Sequence, residues 1–111
     1  MGALSHLRIV EIGSSAATSY CARLFADFGA TVRKIEPPHG DPLRRTAPLT
    51  PGGNSAWFAF LNFNKSSVAL DPDDPNSVSR LAELIGTCDI LLDGRDVDGS
   101  DCPAIDLESI R

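Results

Sequence analysis

The feature that most constrains this chain is a strand, a helix and a second strand in immediate succession, running from Leu7 into a proline-rich loop that ends at Arg45. Leu7, Ile9, Val10 and Ile12 form a short apolar run, the pattern of a strand covered on both faces. From Ala17 the period changes: Ala17, Cys21, Leu24, Phe25 and Phe28 recur every three or four residues, which predicts a helix with that face inward. Ser14 or Ser15 can cap its start, and Gly29 can supply the left-handed residue that ends it. Thr31 to Glu36 carries Val32 and Ile35 and stops at Pro37, which cannot donate to a ladder. A strand, a helix and a strand within about thirty residues make a βαβ unit, so the two strands should lie parallel.

The rest adds elements to that start. Pro42 to Asn54 is a loop by composition, and Ser55 to Phe63, the most aromatic stretch, suits one or two helical turns, with a strand as the alternative. After a turn at Asn64-Lys65-Ser66, Ser67 to Leu70 reads as a third strand. Asp74 before Pro75 starts a second long helix, with Val78, Leu81, Ala82 and Ile85 on its inner face and Gly86 at its end. Asp89 to Asp93 reads as a fourth strand. This order predicts an α/β fold: an open, mostly parallel sheet with helices on its faces, incomplete in this chain. From Gly94 the chain is polar and acid-rich, and Asp106 to Arg111 looks like the first turn and a half of another helix. We read residues 1–111 as a single unit with a polar tail from about residue 94, the front part of something longer.

Composition narrows the functional classes. Ten basic against fifteen acidic residues, net charge −5, disfavours nucleic acid as a partner. No apolar run approaches the ~20 residues of a membrane span, so no membrane role is expected. Cys21, Cys88 and Cys102 include no close pair and no zinc spacing, which predicts free thiols, a cytoplasmic setting and no metal. Asp93, Asp96, Asp98 and Asp101 do not complete a calcium loop, because Gly94 and Ile105 would fall at its first and last ligand places. Gly13-Ser14-Ser15-Ala16-Ala17-Thr18 lacks two glycines of the dinucleotide fingerprint. Glu36 nevertheless stands where a ribose-binding acid would, so a minimal NAD(P) domain stays open beside a plain solvated strand end. Arg44 and Arg45, with Lys34 and Lys65, can place positive charge near phosphates, or be a solvated basic loop.

Two longer motifs go further. Lys34-Ile35-Glu36-Pro37-Pro38-His39-Gly40-Asp41-Pro42-Leu43-Arg44 and Leu61-Asn62-Phe63-Asn64-Lys65-Ser66-Ser67-Val68-Ala69-Leu70-Asp71 closely resemble the class III CoA-transferases, the CaiB/BaiF type. That family includes formyl-CoA transferases, carnitine CoA-transferases and α-methylacyl-CoA racemases. The resemblance spans roughly residues 7 to 93. It implies a Rossmann-like sheet that holds CoA, pairing of two chains as a dimer, and acyl-CoA and carboxylate small molecules as substrates, with no permanently bound cofactor. It also implies an aspartate nucleophile, or a His/Asp pair in racemases, downstream of these elements, so no catalytic residue is assigned and the chain alone is expected not to catalyse.

The site residues carried over are Pro37, Arg44, Arg45, Lys65, Leu70, Asp71, Gly94 and Arg95. Leu70-Asp71 matches the contact to the adenosine end of CoA, and Pro37 takes a contact position that is often arginine in members. Departures are several. Asp73 stands where lysine is sometimes found, Asp93-Gly94-Arg95 replaces Glu-Asn-Phe, Thr18-Ser19 replaces Gly-Pro, and Ala16 replaces a polar residue. They fit a divergent subfamily or the non-catalytic half of a tandem-domain member. A binding or scaffolding module that kept the fold is the alternative reading.

Overall fold

A computed structural model describes residues 2–95; the acid-rich tail beyond Arg95, with Cys102 and the helical turn expected at Asp106–Arg111, lies outside the described residues. Within them the order is β1 (Arg8–Gly13), α1 (Ala16–Asp27), β2 (Thr31–Glu36), a 3₁₀ turn (Pro42–Arg45), α2 (Ala56–Asn62), β3 (Ser66–Ala69), α3 (Pro75–Thr87) and β4 (Ile90–Gly94). All strand pairs are parallel, in the spatial order β3-β2-β1-β4. The fold class is therefore the expected open α/β sheet, and the aromatic stretch is helical. Steps from β1 to β2 to β3 run one way, and β4 then returns to the far side of β1. The carboxyl ends of β1 and β4 thus form the topological switch point, where sheets of this kind leave a crevice.

Local chemistry explains the boundaries. The Ser15 hydroxyl caps α1 by accepting from the Thr18 amide at 3.4 Å, and Ser55 caps α2 by accepting from the Phe58 amide at 3.1 Å. Asp74 caps α3 ahead of Pro75, accepting from the Asn76 amide at 2.9 Å. Gly29 follows α1 with φ +101°, a conformation that costs a residue with a Cβ about 1 kcal/mol or more. Gly86 does not end α3, which continues to Thr87 with Cys88 as its C-cap.

Alternation along the strands divides the core in two. Val10, Ile12, Ile35 and Leu70 pack with Leu81, Leu84 and Ile85 of α3. Ile9 and Val32 pack on the other side with Ala22, Ala26 and Ala30. Here two inner faces differ from expectation. The buried positions of α1 are Ser19, Ala22 and Ala26, while Cys21, Leu24 and Phe28 point outward, Phe28 being 58% exposed. On α3 the buried face is Ser77, Leu81, Leu84 and Ile85, and Val78 is exposed. The α1 shift has a physical cause: β1 and β2 send charged side chains to that side, and Ser19 can hydrogen-bond to them where leucine or phenylalanine could not.

Candidate functional site

Seven of the eight expected site residues gather at or just beyond the carboxyl ends of the parallel strands; the eighth, Lys65, precedes β3 at its amino end. Pro37 directly follows β2, and Leu70 and Asp71 directly follow β3. Gly94 ends β4 with Arg95 next to it, and Arg44 and Arg45 lie in the 3₁₀ turn of the loop that leaves β2. Pro37 and Leu70 are buried, whereas Asp71, Arg44 and Arg45 are exposed. The Leu70 amide donates to the Glu36 carbonyl at 2.8 Å, which closes the end of the β2–β3 ladder beneath the loop.

Under this rim lies a network of charges that the motifs did not disclose. Glu11, in the middle of the central strand, is fully buried, and the β1–β2 register sets Lys34 directly beside it. Lys34 Nζ lies 3.0 Å from Glu11 Oε2, 3.2 Å from the Ser19 hydroxyl and 2.9 Å from Asp41 Oδ2. The last contact is an ion pair without hydrogen-bond alignment. The Ser19 hydroxyl donates to Glu11 Oε2 at 2.6 Å. Lys65 Nζ donates three times: to Glu11 Oε1 at 2.7 Å, to the Ser19 carbonyl at 2.9 Å and to Asn62 Oδ1 at 2.6 Å. Lys65 therefore bolts the α2–β3 turn onto β1 and α1, and its ammonium has no further proton to donate. Burial pushes the Glu11 carboxyl up, but Lys34, Lys65 and Ser19 together more than reverse this and hold it below the usual carboxylate range. Burial likewise pulls the Lys65 ammonium below its ordinary value, against the opposing pull of Glu11.

A second hub sits at Glu36, which is 2% exposed. Its Oε1 accepts from the Asp41 amide at 2.9 Å and from Arg44 Nε at 2.6 Å. Its Oε2 accepts from Arg44 Nη2 at 2.8 Å and from the Ser67 hydroxyl. Four donors fill the carboxylate, and against the cost of burial they hold Glu36 at about 2. Glu36 is thus neither a solvated strand end nor free to bind a ribose, which removes the one feature that favoured NAD(P). The Arg44 guanidinium also lies over the Phe58 ring, 4.2 Å from its centroid. Arg45 Nη1 donates to the His39 carbonyl at 3.0 Å. On β4, Asp93 pairs with Arg95 at 2.9 Å, which lowers the Asp93 carboxyl.

Two of the departures from the family pattern meet in space. A Cβ built on Gly94 would lie 2.7 Å from Thr18 Oγ1 and 2.9 Å from Thr18 Cβ. Thr18 thus fills the space that a side chain at position 94 would need, so the two positions share one small volume at the switch point. Gly13, with φ +86°, pairs with Gly94 in the ladder and carries the close backbone approach there. The neighbouring Ser19 supplies the hydroxyl that joins Glu11 to Lys34.

Sequence reasoning missed Glu11, Ser19, Asp41 and Asn62, and neither reading left open for Lys34, a cation near phosphates or part of a solvated basic loop, holds for a side chain that is 1% exposed. The signal was present in Ile9-Val10-Glu11-Ile12, since an acid inside a strand covered on both faces must have a buried partner.

Comparison with known proteins settles the lineage. The pattern of CoA-transferase family III matches residues 4–111. The chain belongs to this family. It is 35% identical over 91 residues to the succinyl-CoA–D-citramalate CoA-transferase of Chloroflexus aurantiacus, covering 81% of this chain and 23% of that protein. It is 39% identical over 92 residues to a formyl-CoA:oxalate CoA-transferase of Rhodopseudomonas palustris, covering 82% of this chain and 22% of that one. The fold superposes on a CaiB/BaiF family protein from Brucella suis with a TM-score of 0.75 at 26% identity, over 83% of this chain and 25% of the other. The class III chain described here thus spans less than a quarter of the length of these two transferases.

Proposed function

We propose that the chain is the N-terminal, CoA-binding part of a class III CoA-transferase-like protein that moves CoA between carboxylic acids. One observation carries this: the residues implied by the family motifs, distant in sequence, emerge together along the carboxyl ends of β2, β3 and β4. The ligand would lie over that rim, with Pro37, Leu70 and Asp71 at the adenosine end and Gly94 and Arg95 toward the thioester. Arg44 and Arg45 would supply positive charge, and Lys65 would act through the shape it imposes on the rim. Acyl-CoA and carboxylate molecules are the substrates this reading implies, with the acyl-accepting aspartate outside the described elements. Cytoplasmic residence and pairing of two copies belong to the same proposal. Cys21 and Cys88 are free thiols, as a reducing compartment would keep them.

A binding module without chemistry is favoured by a separate observation. The carboxylates beneath the rim, Glu11, Glu36 and Asp41, each face a cation at 3.0 Å or less, so none is placed to attack a thioester. Calorimetry of the full chain with CoA and acetyl-CoA tests the shared claim. Micromolar binding is the expected result, and no heat at millimolar ligand would overturn it. Acyl exchange between acetyl-CoA and a free carboxylate, catalysed by this chain alone, would overturn the non-catalytic reading.

A further inference from the structure

We propose that Glu36 is the positioning residue of a phosphate-binding face, holding Arg44 so that one edge of its guanidinium is presented to an anion at the rim. The geometry of the fork carries the proposal. Arg44 Nε and Nη2 are both spent on Glu36, at 2.6 and 2.8 Å, and Phe58 covers one face of the guanidinium. What remains is the Nη1 edge and the second Nη2 proton, three donors on a side chain that is 44% exposed. A guanidinium clamped on one edge and backed by a ring has little rotamer freedom left to lose, so an anion bound at its free edge meets donors already in place.

Glu36 is well suited to this role. It is buried, its other two acceptor sites are tied to Asp41 on the loop and Ser67 on β3, and its charge persists at any working pH. The charge of Glu36 does not cancel the outward attraction, because Arg45 stands next in the turn as a further exposed cation, while Lys34 and Lys65 beneath are balanced by Glu11 and Asp41. Identifying the anion as a phosphate of CoA rests on the reading above; the presented edge does not.

The test is calorimetry of the full chain and of Glu36→Gln with four probes: CoA, 3′-dephospho-CoA, pyrophosphate and phosphate-free pantetheine. Glutamine keeps the size of Glu36 but turns an amide donor toward the guanidinium, which releases the fork. The expected result is a loss of about tenfold for CoA and pyrophosphate, with pantetheine unchanged. An equal loss with 3′-dephospho-CoA would assign the diphosphate, and no loss with it would assign the 3′-phosphate. Unchanged affinity for CoA and pyrophosphate in a folded variant would overturn the proposal, as would an equal loss for pantetheine. Where Glu36→Gln does not fold, Phe58→Leu, which removes the backing ring without touching a buried charge, is expected to give the same selective loss, and its absence would overturn the proposal equally. Native chain that binds pyrophosphate but not CoA would keep the anion face and discard the CoA reading. Native chain that binds CoA independently of Glu36 would do the reverse, and binding of neither probe would remove both.

Discussion

The two sides of the sheet solve the same packing problem in opposite ways. On the α3 side, Val10, Ile12, Ile35 and Leu70 meet Leu81, Leu84 and Ile85, and the helix turns Arg80 and Glu83 to solvent. On the α1 side the strands contribute Glu11, Lys34 and Glu36 as well as Ile9 and Val32, and the helix answers with Ser19 and alanines. The outer surface there is rich in apolar groups: Tyr20 and Leu24 on α1 and Phe28 at its C-cap, with Trp57, Phe60 and Phe63 on and beside α2. Tyr20, Phe60 and Trp57 stack in series, with centroids 6.2 and 5.9 Å apart. One side is held by area removed from water. The other is held by charges that must all find partners, and Glu36 among them anchors the Arg44 part of the rim where the ligand is proposed to sit. Buried ion pairs are a poor source of net stability but a good source of fixed geometry, which is what a binding rim requires.

The contrast breaks most visibly at Glu11. Glu11→Ala leaves Lys34 and Lys65 buried without their shared carboxylate, and urea unfolding should show a loss of about 3–5 kcal/mol. A loss below about 1 kcal/mol would show that the network is dispensable to the fold. On the opposite side Leu81→Ala, at a fully buried position, should cost about 2–4 kcal/mol through lost contacts and the cavity left behind. It should leave ligand affinity at the rim unchanged.

Acid separates the two sides without mutation. Glu36 is lowered in the folded chain from the ordinary 4.5 to about 2, so its contribution is complete above about pH 4.5 and is lost as pH falls through 2. After allowance for its half-exposed partner Arg44, that contribution is about 2 kcal/mol, and Glu11 adds to it in the same direction. Stability measured by urea melts from pH 6 to pH 2, values chosen to bracket that range, should therefore fall, and Glu36→Gln should flatten the curve.

At the switch point, Gly94→Asn alone should cost about 1–3 kcal/mol by driving its side chain into Thr18, and Thr18→Gly should recover part of that loss in the double variant. Simple additivity would show that the two positions do not exchange bulk. The smallest effect is expected outside. Phe28→Ser should change stability by less than about 0.5 kcal/mol, yet lower any concentration-dependent association seen by sedimentation, because Phe28 is exposed and belongs to the apolar strip.

Much of the α3 side could be read from the residues in order. Short apolar runs mark the strands, Asp74-Pro75 marks the start of α3, and the β-α-β order requires parallel pairing whatever the side chains do later. Proline, glycine and hydroxyl caps act within a few residues of themselves, so they are legible locally. The family motifs likewise named the rim segments, because those segments end strands.

Which face of α1 turns inward could not be read that way. The apolar periodicity of Ala17, Cys21, Leu24 and Phe28 pointed to the wrong side, since hydrophobic pattern identifies an inner face only where the sheet opposite is apolar. Register alone brought Lys34 beside Glu11, and the loop then delivered Asp41 and Lys65, from positions 30 and 54 residues away from Glu11, into one ionic cluster. The sequence on its own determined the elements, their order and their lineage, because these follow from short-range backbone chemistry. Only the tertiary structure decided which charges are spent inside and which face outward, because the strength of a charge depends on the partners and dielectric that the completed fold places around it.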